Sequence, residues 1–539
     1  MDHNNYPVMF ATICAYFLLF SIHVVHGITT TTTTPSTIST CKQTPFPQVC
    51  HHFLKPTHLS TLDDKTTVSL GELALQATME QAVEAHRLIS AMDPNSFVER
   101  GKSAWQDCLE LYKDTVDLLH RSVNSNNKNP LDTHTWLSAS FANQQTCQNG
   151  FADFQISSHF ESFPSMLSNF SKLLSNSLAI HKAATTPSTS SFRDNQIHGR
   201  RLLSDGFPDW VSAADRKLLQ SGGTASSADI VVAQDGSGNY QTISEAVEAA
   251  AKLGGGRIVV YVKAGVYKEN VEIKNDITNL MVVGDGMDST IVTGNRNNVD
   301  GSTTFQSATF GVSGDGFIAQ DITFENTAGP AKHQAVALRS GSDHSVFHRC
   351  SFKGYQDTLY VYSQRQFYRD CNIYGTVDFI LGDAVAILQN CNIFVRKPMS
   401  GQSNTVTAQA RTDPNENTGI VIHNSRITAS SDLRPVQGSF ETYLGRPWQK
   451  YSRTVIMKSN LDGLIHPKGW FPWSGNFALS TLYYAEYMNS GAGAATGGRV
   501  NWPGYRVLTS AAEAGEFTVG NFLAGDSWIP AGVPYSAGL

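Results

Sequence analysis

Two stretches in the first third of the chain carry apolar residues at helical spacing, LGELALQATMEQAVEAHRLISAM (70–92) and FPSMLSNFSKLLSNSLAI (163–180). In the second, Phe163, Met166, Leu167, Phe170, Leu173 and Leu174 fall three or four apart. Such stripes bury themselves against other helices, so the region from about 40 to 182 is expected to be an all-α bundle with these residues as its core. After residue 228 the period changes. Short β-rich runs appear, RIVVYV (257–262), NLMVVG (279–284) and ATFGV (308–312), then QDITFEN, HRCSF, RDCNI, LQNCNIFV and IHNSRI. They recur at intervals of roughly 20 to 35 residues, which favours a solenoid over a sandwich. Strands stacked in register about 4.8 Å apart predict an all-β right-handed parallel β-helix that needs no interior helix.

The repeat also places the candidate chemistry. Cys350 and Cys371 are 21 residues apart, as are Asp357 and Asp378, and Cys391 follows a further 20 residues on. One repeat later a residue returns to the same position one coil above. The cysteines are therefore expected to stack as an internal ladder, with the aspartates side by side on the outer face. Two carboxylates that close cannot both ionise freely, so one is expected to stay protonated as an acid while the other remains an anion.

Other segments read as processing signals. The apolar run 8–25 makes residues 1–27 a signal peptide or an uncleaved signal anchor, followed by a Thr/Ser-rich spacer at 28–40. Residues 41–186 are the helical domain and 228–539 the β domain. Between them, 187–227 form a polar linker carrying Arg200-Arg201 and Arg216-Lys217, each pair followed by two leucines. Dibasic pairs on an exposed tether of a secreted chain are expected targets of a processing protease. Secretion implies an oxidising compartment, where Cys41, Cys50, Cys108 and Cys147 can pair in three ways. Asn169-Phe170-Ser171 is a glycosylation sequon. Composition narrows the picture further. At 539 residues two domains are expected, and with 40 Lys+Arg against 46 Asp+Glu and no long basic tract, nucleic acid is excluded as a partner.

Five motifs in the β domain then resemble one family: Gly265-Val-Tyr-Lys-Glu269, Gln334-Ala-Val-Ala-Leu-Arg339, Gly354-Tyr-Gln-Asp-Thr-Leu-Tyr360, Asp378-Phe-Ile-Leu-Gly382 and Leu444-Gly-Arg-Pro-Trp448. Their kind and order resemble plant pectin methylesterases. Trp105-Gln-Asp-Cys108 and Thr146-Cys147-Gln-Asn-Gly150 are similar to markers of the inhibitor-like pro-region some of them carry. The resemblance implies an all-α four-helix bundle with bridges Cys41–Cys50 and Cys108–Cys147, ahead of a β-helix that hydrolyses methyl esters of galacturonate units in cell-wall pectin. It implies no cofactor and no metal.

By the same resemblance Asp378 is the nucleophile and Asp357 the general acid and then base. Gln334 and Gln356 are the amide donors to the oxyanion, and Arg446 is the guanidinium that holds Asp378 ionised. Trp448 is a sugar-stacking wall, with Phe305, Thr309, Tyr360 and Trp473 also expected to bind substrate. The expected partners are methyl-esterified homogalacturonan, the processing protease, and this chain's own or another inhibitor domain, with the enzyme a monomer. For the cysteine ladder the resemblance favours Cys371–Cys391, while spacing alone allows Cys350–Cys371 equally.

Two positions depart from the family pattern. Leu381 replaces an aromatic near the cleft, and Asp383 adds a carboxylate five residues past the nucleophile, which would raise the pKa of Asp378 if it faced inward. Should these spoil the cleft, the alternative is a catalytically impaired pectin-binding or inhibitor protein on the same scaffold. A lyase or polygalacturonase is disfavoured by the five motifs.

Overall fold

The computed structural model describes residues 41–54, 69–124, 129–154, 165–185, 228–254 and 256–539. The apolar run at 8–25, the Thr/Ser spacer and the linker pairs Arg200-Arg201 and Arg216-Lys217 lie outside the described residues. Among the described residues, no helix is long and apolar enough to cross a membrane.

Among the described residues, five α-helices precede the β domain: α1 (Pro47–Phe53), α2 (Leu70–Ser90), α3 (Glu99–Asn124), α4 (Pro130–Asp153) and α5 (Ser165–Thr185). Local chemistry sets their starts. At α2 the Ser69 hydroxyl accepts from the Glu72 N–H while the Glu72 carboxylate accepts from the Ser69 N–H, a reciprocal capping box. Pro130 opens α4, where its missing N–H costs nothing, behind Asn129, whose side chain accepts from the Leu131 N–H. The predicted stripe on α2 is the buried one, through Ala74, Leu75, Thr78, Ala82, Ala85 and Ile89. On α5, Phe170, Leu173 and Leu174 are buried, with Leu178 a turn further on. The four long helices pack on one another, and the bridges Cys41–Cys50 and Cys108–Cys147 form as the resemblance implied. The second ties α3 to α4 across a separation of 39 residues, enough to raise stability by about 4 kcal/mol through the unfolded chain's lost freedom.

The β domain winds into three sheets of 11, 7 and 8 strands in which every strand pair is parallel. It is a right-handed parallel β-helix. Its core is a set of in-register columns. Val260, Val282, Ala319, Phe347, Tyr368, Leu388, Ile422 and Ile456 stack strand on strand in the first sheet, all fully buried. Val292, Phe324, Phe352, Ile373, Ile393 and Ile427 do so in the third. A helix closes the N-terminal end of the coils. ISEAVEAAAKL forms a helix, α6 (Ile243–Leu253), capped by Thr242 and Glu245. Its buried face of Ile243, Ala246, Val247 and Ala250 covers the first coil, which a solenoid end requires.

Cys350, Cys371 and Cys391 are buried as expected, but all three are free thiols and the expected Cys371–Cys391 bridge is not formed. The three stand one coil apart in register, with the Cys371 thiol in hydrogen-bonding contact with those of Cys350 and Cys391. The sulfurs also lie within hydrogen-bonding reach of carbonyl oxygens, Cys371 Sγ at 3.3 Å from those of Phe347 and Arg369.

The second sheet matters most for function. Across its strands Glu272, Gly311, Arg339, Tyr360, Leu381 and Ala408 occupy one column, one residue per coil. That column floors an elongated cleft.

Candidate active site

Asp357 and Asp378 precede successive strands of the second sheet, Leu359–Val361 and Ile380–Gly382, and the Asp357 N–H donates to the Val377 carbonyl. Both adopt left-handed backbone, φ +61° and +50°, a conformation that aspartate tolerates better than most residues. The repeated turn therefore aims two carboxylates at one spot from adjacent coils.

Their surroundings differ. Asp378 accepts a two-pronged contact from Arg446, Nε to Oδ1 at 2.8 Å and Nη2 to Oδ2 at 2.6 Å. The Thr405 hydroxyl donates to its Oδ1 at 2.7 Å while accepting from the Asp378 N–H at 2.8 Å. Those donors suit an anion. Asp357 is buried with no such donor among the described residues. Burial, then the charges of Asp378 and Asp153, push its carboxyl well above the usual range, with Arg446 acting in the opposite direction. The pair is thus asymmetric, with Asp378 gripped by charged and hydroxyl donors and Asp357 biased by burial toward its protonated form.

Gln356 adjoins Asp357, and its carbonyl accepts from the N–H of Ala335, next to Gln334, so the two amides belong to neighbouring coils beside the aspartates. Arg446 packs its guanidinium 4.5 Å from the centroid of the Trp473 ring. Trp448 lies 6.3 Å from Tyr360, centroid to centroid. Phe305 and Tyr360, expected to be exposed, are buried, because the helical domain packs on them. Thr309 is misplaced by the sequence reading. It is fully buried and its hydroxyl donates to the Glu325 carbonyl, so it supports a coil and does not line the cleft. Asp383 accepts from Gln409 and Thr418, and burial raises its carboxyl above the ordinary range, opposed by hydrogen bonds with Glu416, Thr418 and Gln409. Leu381 takes its place in the cleft column between Tyr360 and Ala408. Asn169 lies half-buried on α5.

The cleft is occupied by α3 and α4. The Tyr362 hydroxyl donates to Asn143 at 2.6 Å, Thr304 donates to Asp153 at 2.9 Å, and Arg365 pairs with Asp132 at 2.7 Å. Asp107 accepts from Thr303 at 2.5 Å and Gln306 at 2.6 Å, and its burial pushes its carboxyl up to about 7. Arg121 pairs with Asp315 at 2.6 Å. One apolar cluster runs from the bundle core into Phe305, Ala308, Val336, Tyr360, Leu381 and Ala408, with Trp448 at its edge. Asp153 therefore faces the two aspartates from the opposite domain, its charge acting on Asp357. Sequence reasoning missed Thr405 and Asp153, since neither sits in a motif or on the 21-residue repeat.

Both parts of the chain resemble known proteins. Residues 229–526 match the family described as Pectinesterase, and residues 36–180 match Plant invertase/pectin methylesterase inhibitor. The chain belongs to the pectinesterase family. Among curated pectinesterases it is 54% identical to the "Probable pectinesterase/pectinesterase inhibitor 6" of Arabidopsis thaliana, over 96% of this chain and 97% of that one. It is 53% identical to "Pectinesterase 2" of Citrus sinensis, over 93% and 94%. Among solved pectinesterase structures, "Pectin methylesterase from Carrot" superposes with a TM-score of 0.57 at 61% identity. It covers 58% of this chain and 98% of its own, so that relative's fold stands without a helical pro-region.

Proposed function

We propose that this pectinesterase cleaves the C6 methyl esters of galacturonate units in cell-wall pectin, with Asp378 as nucleophile. The carrying observation is the asymmetry of the aspartates, Asp378 clamped by Arg446 and Thr405 while burial biases Asp357 toward its protonated form. The Asp378 carboxylate attacks the ester carbonyl, and the tetrahedral oxyanion accepts hydrogen bonds from the Gln334 and Gln356 amides. Collapse expels methanol, which takes the Asp357 proton, and leaves an acyl-enzyme anhydride. Asp357, now an anion, removes one proton from water as that water attacks the galacturonoyl carbonyl of the anhydride, restoring the Asp378 carboxylate and freeing a galacturonic acid group that then loses its proton to solvent. Trp448, Tyr360, Phe305 and Trp473 give the sugar chain its stacking wall.

In the full chain this cleft is closed by the bundle, which supports an intramolecular block. A protease acting at Arg200-Arg201 or Arg216-Lys217 would release the esterase, and the chain's segments fit secretion to the wall as a monomer. Methanol release from methyl-esterified pectin tests this before and after cleavage of the linker. Release that rises on cleavage is expected. Equal turnover by the intact chain would refute the block, and no turnover by the cut chain would refute the esterase reading.

A further inference from the structure

One arm of the cleft holds a group that the mechanism does not use. Arg339 closes the Gln334-to-Arg339 motif and stands in the cleft column two coils before Leu381, on whose coil Asp378 sits. That is two strand spacings, roughly 10 Å along the cleft. Its side chain is 3% exposed, and Nη2 donates to both carboxylate oxygens of Glu272 at 2.8 Å. The contact spans Gly311, where a Cβ would lie 2.0 Å from Glu272 Oε2 and 2.7 Å from Arg339 Nη2. One face of the guanidinium lies 3.6 Å over the centre of the Phe305 ring. Nε and Nη1 find no acceptor among the described residues. A buried guanidinium with two idle donors is costly, so a protein that keeps one has a use for it. Arg339 also lines a cavity of about 950 Å³ between α3 and the β-helix, together with Glu272, Asn275 and Phe305.

The pro-region treats this arm as an anion site. Along one side of α3, Asp107 accepts from Thr303 and Gln306, and Asp114 accepts from the Asn275 amide at 2.5 Å. Between them Glu110, which also lines the cavity, acts through its charge on Arg339. The helix thus presents carboxylates at successive turns to the part of the cleft where a galacturonan would present its own.

We propose that Arg339 is a carboxylate subsite, binding an already de-esterified galacturonate unit upstream of the one under attack, and that in the precursor α3 covers this subsite with Glu110 facing it across the cavity. This rests on the esterase reading above. The ligand class follows from the donors. A guanidinium offers a planar fork and no acceptor, which matches an ionised carboxylate, whereas a methyl ester brings no charge to a buried cation. Glu272 is the internal competitor that holds the fork until substrate arrives. The enzyme then favours esters that neighbour its own product.

The test uses the chain cut in its linker and freed of the bundle, comparing kcat/KM on fully methyl-esterified and partially de-esterified pectin. The parent prefers the partially de-esterified substrate. Arg339→Met lowers that preference roughly tenfold, the usual loss for a hydrogen bond to a charged group, and does so through KM. Arg339→Lys restores part of it, since charge remains without the fork. Because Arg339→Met removes a buried group and can unfold, Glu272→Gln provides the second arm. It frees the fork and tightens inhibition by polygalacturonate about tenfold. An unchanged substrate ratio in folded Arg339→Met, or unchanged polygalacturonate inhibition in Glu272→Gln, overturns the proposal. Methanol release by the parent is read in the same assay, so failure of the subsite is distinguishable from failure of the esterase reading.

Discussion

Replacing Asp107 by asparagine should flatten the pH dependence of bundle docking. Asp107 is 1% exposed between Thr303 and Gln306 of the β domain, and burial moves its carboxyl from the ordinary 3.8 to about 7. Glu110 pushes it further up and Arg339 pulls it down. The sign follows directly. A carboxyl whose pKa rises on docking opposes docking once it ionises in the free bundle. The opposition is absent below pH 4, grows by about 1.4 kcal/mol per unit between pH 4 and 7, and is constant above 7. From pH 5 to 7 it amounts to roughly 2 kcal/mol, a factor of about 50 in Kd. The substituted asparagine carries no titrating proton, yet its amide can serve both partners, accepting from Gln306 and donating to Thr303. The assay is titration of freed bundle against freed β domain at pH 5, 6 and 7. The parent should bind more tightly at pH 5. The variant should lose about 50-fold of that slope and retain one of similar size and the same sign from Asp114, whose carboxyl burial also raises to about 7, with Asp153 adding to it. A variant with the parent's slope, or a parent that binds more tightly at pH 7, would refute the reasoning.

Other substitutions probe the cleft. Thr405→Val removes a hydroxyl that both donates to Asp378 Oδ1 and accepts from its N–H, so kcat should fall roughly 10- to 100-fold with little change in KM; steady-state methanol release checks it. Trp448→Ala should raise KM for pectin about tenfold while the esterase keeps most of its kcat, because the ring stands at the cleft edge beside Tyr360 and away from the carboxylates. Processing should leave a mature N-terminus just after Leu219, or less often after Leu203, and Edman sequencing of protein from the cell wall would read it directly.

Much of the β domain was legible because a β-helix writes its geometry into sequence spacing. Cysteine on cysteine and aspartate on aspartate at 21 residues is one coil, and the register carries it out at Ser351, Asn372 and Asn392. Helix starts were legible for a local reason too, as Ser69 and Glu72 lie within one turn. What spacing does not encode is contact between distant segments. Thr405 reaches Asp378 from 27 residues away, past an irregular coil that breaks the repeat. Asp153 reaches the pair from another domain, and no periodicity predicts docking. The same contact explains why Phe305 and Tyr360, taken as exposed stacking residues, are buried here. Thr309 failed because a threonine beside a strand reads alike whether its hydroxyl faces a cleft or a neighbouring carbonyl. For the cysteines, spacing set the three side chains close together but did not decide whether any two of them pair.

The most direct test of the account is methanol release by Asp378→Asn in the chain cut at its linker, alongside its thermal midpoint and its binding to methyl-esterified pectin. Asparagine keeps the shape and the contact with Thr405 but cannot form the acyl intermediate. The account predicts unchanged folding, retained pectin binding and turnover reduced by about a thousandfold or more, a loss in kcat rather than in affinity. Turnover within about tenfold of the parent, in a folded protein that binds pectin, would contradict it.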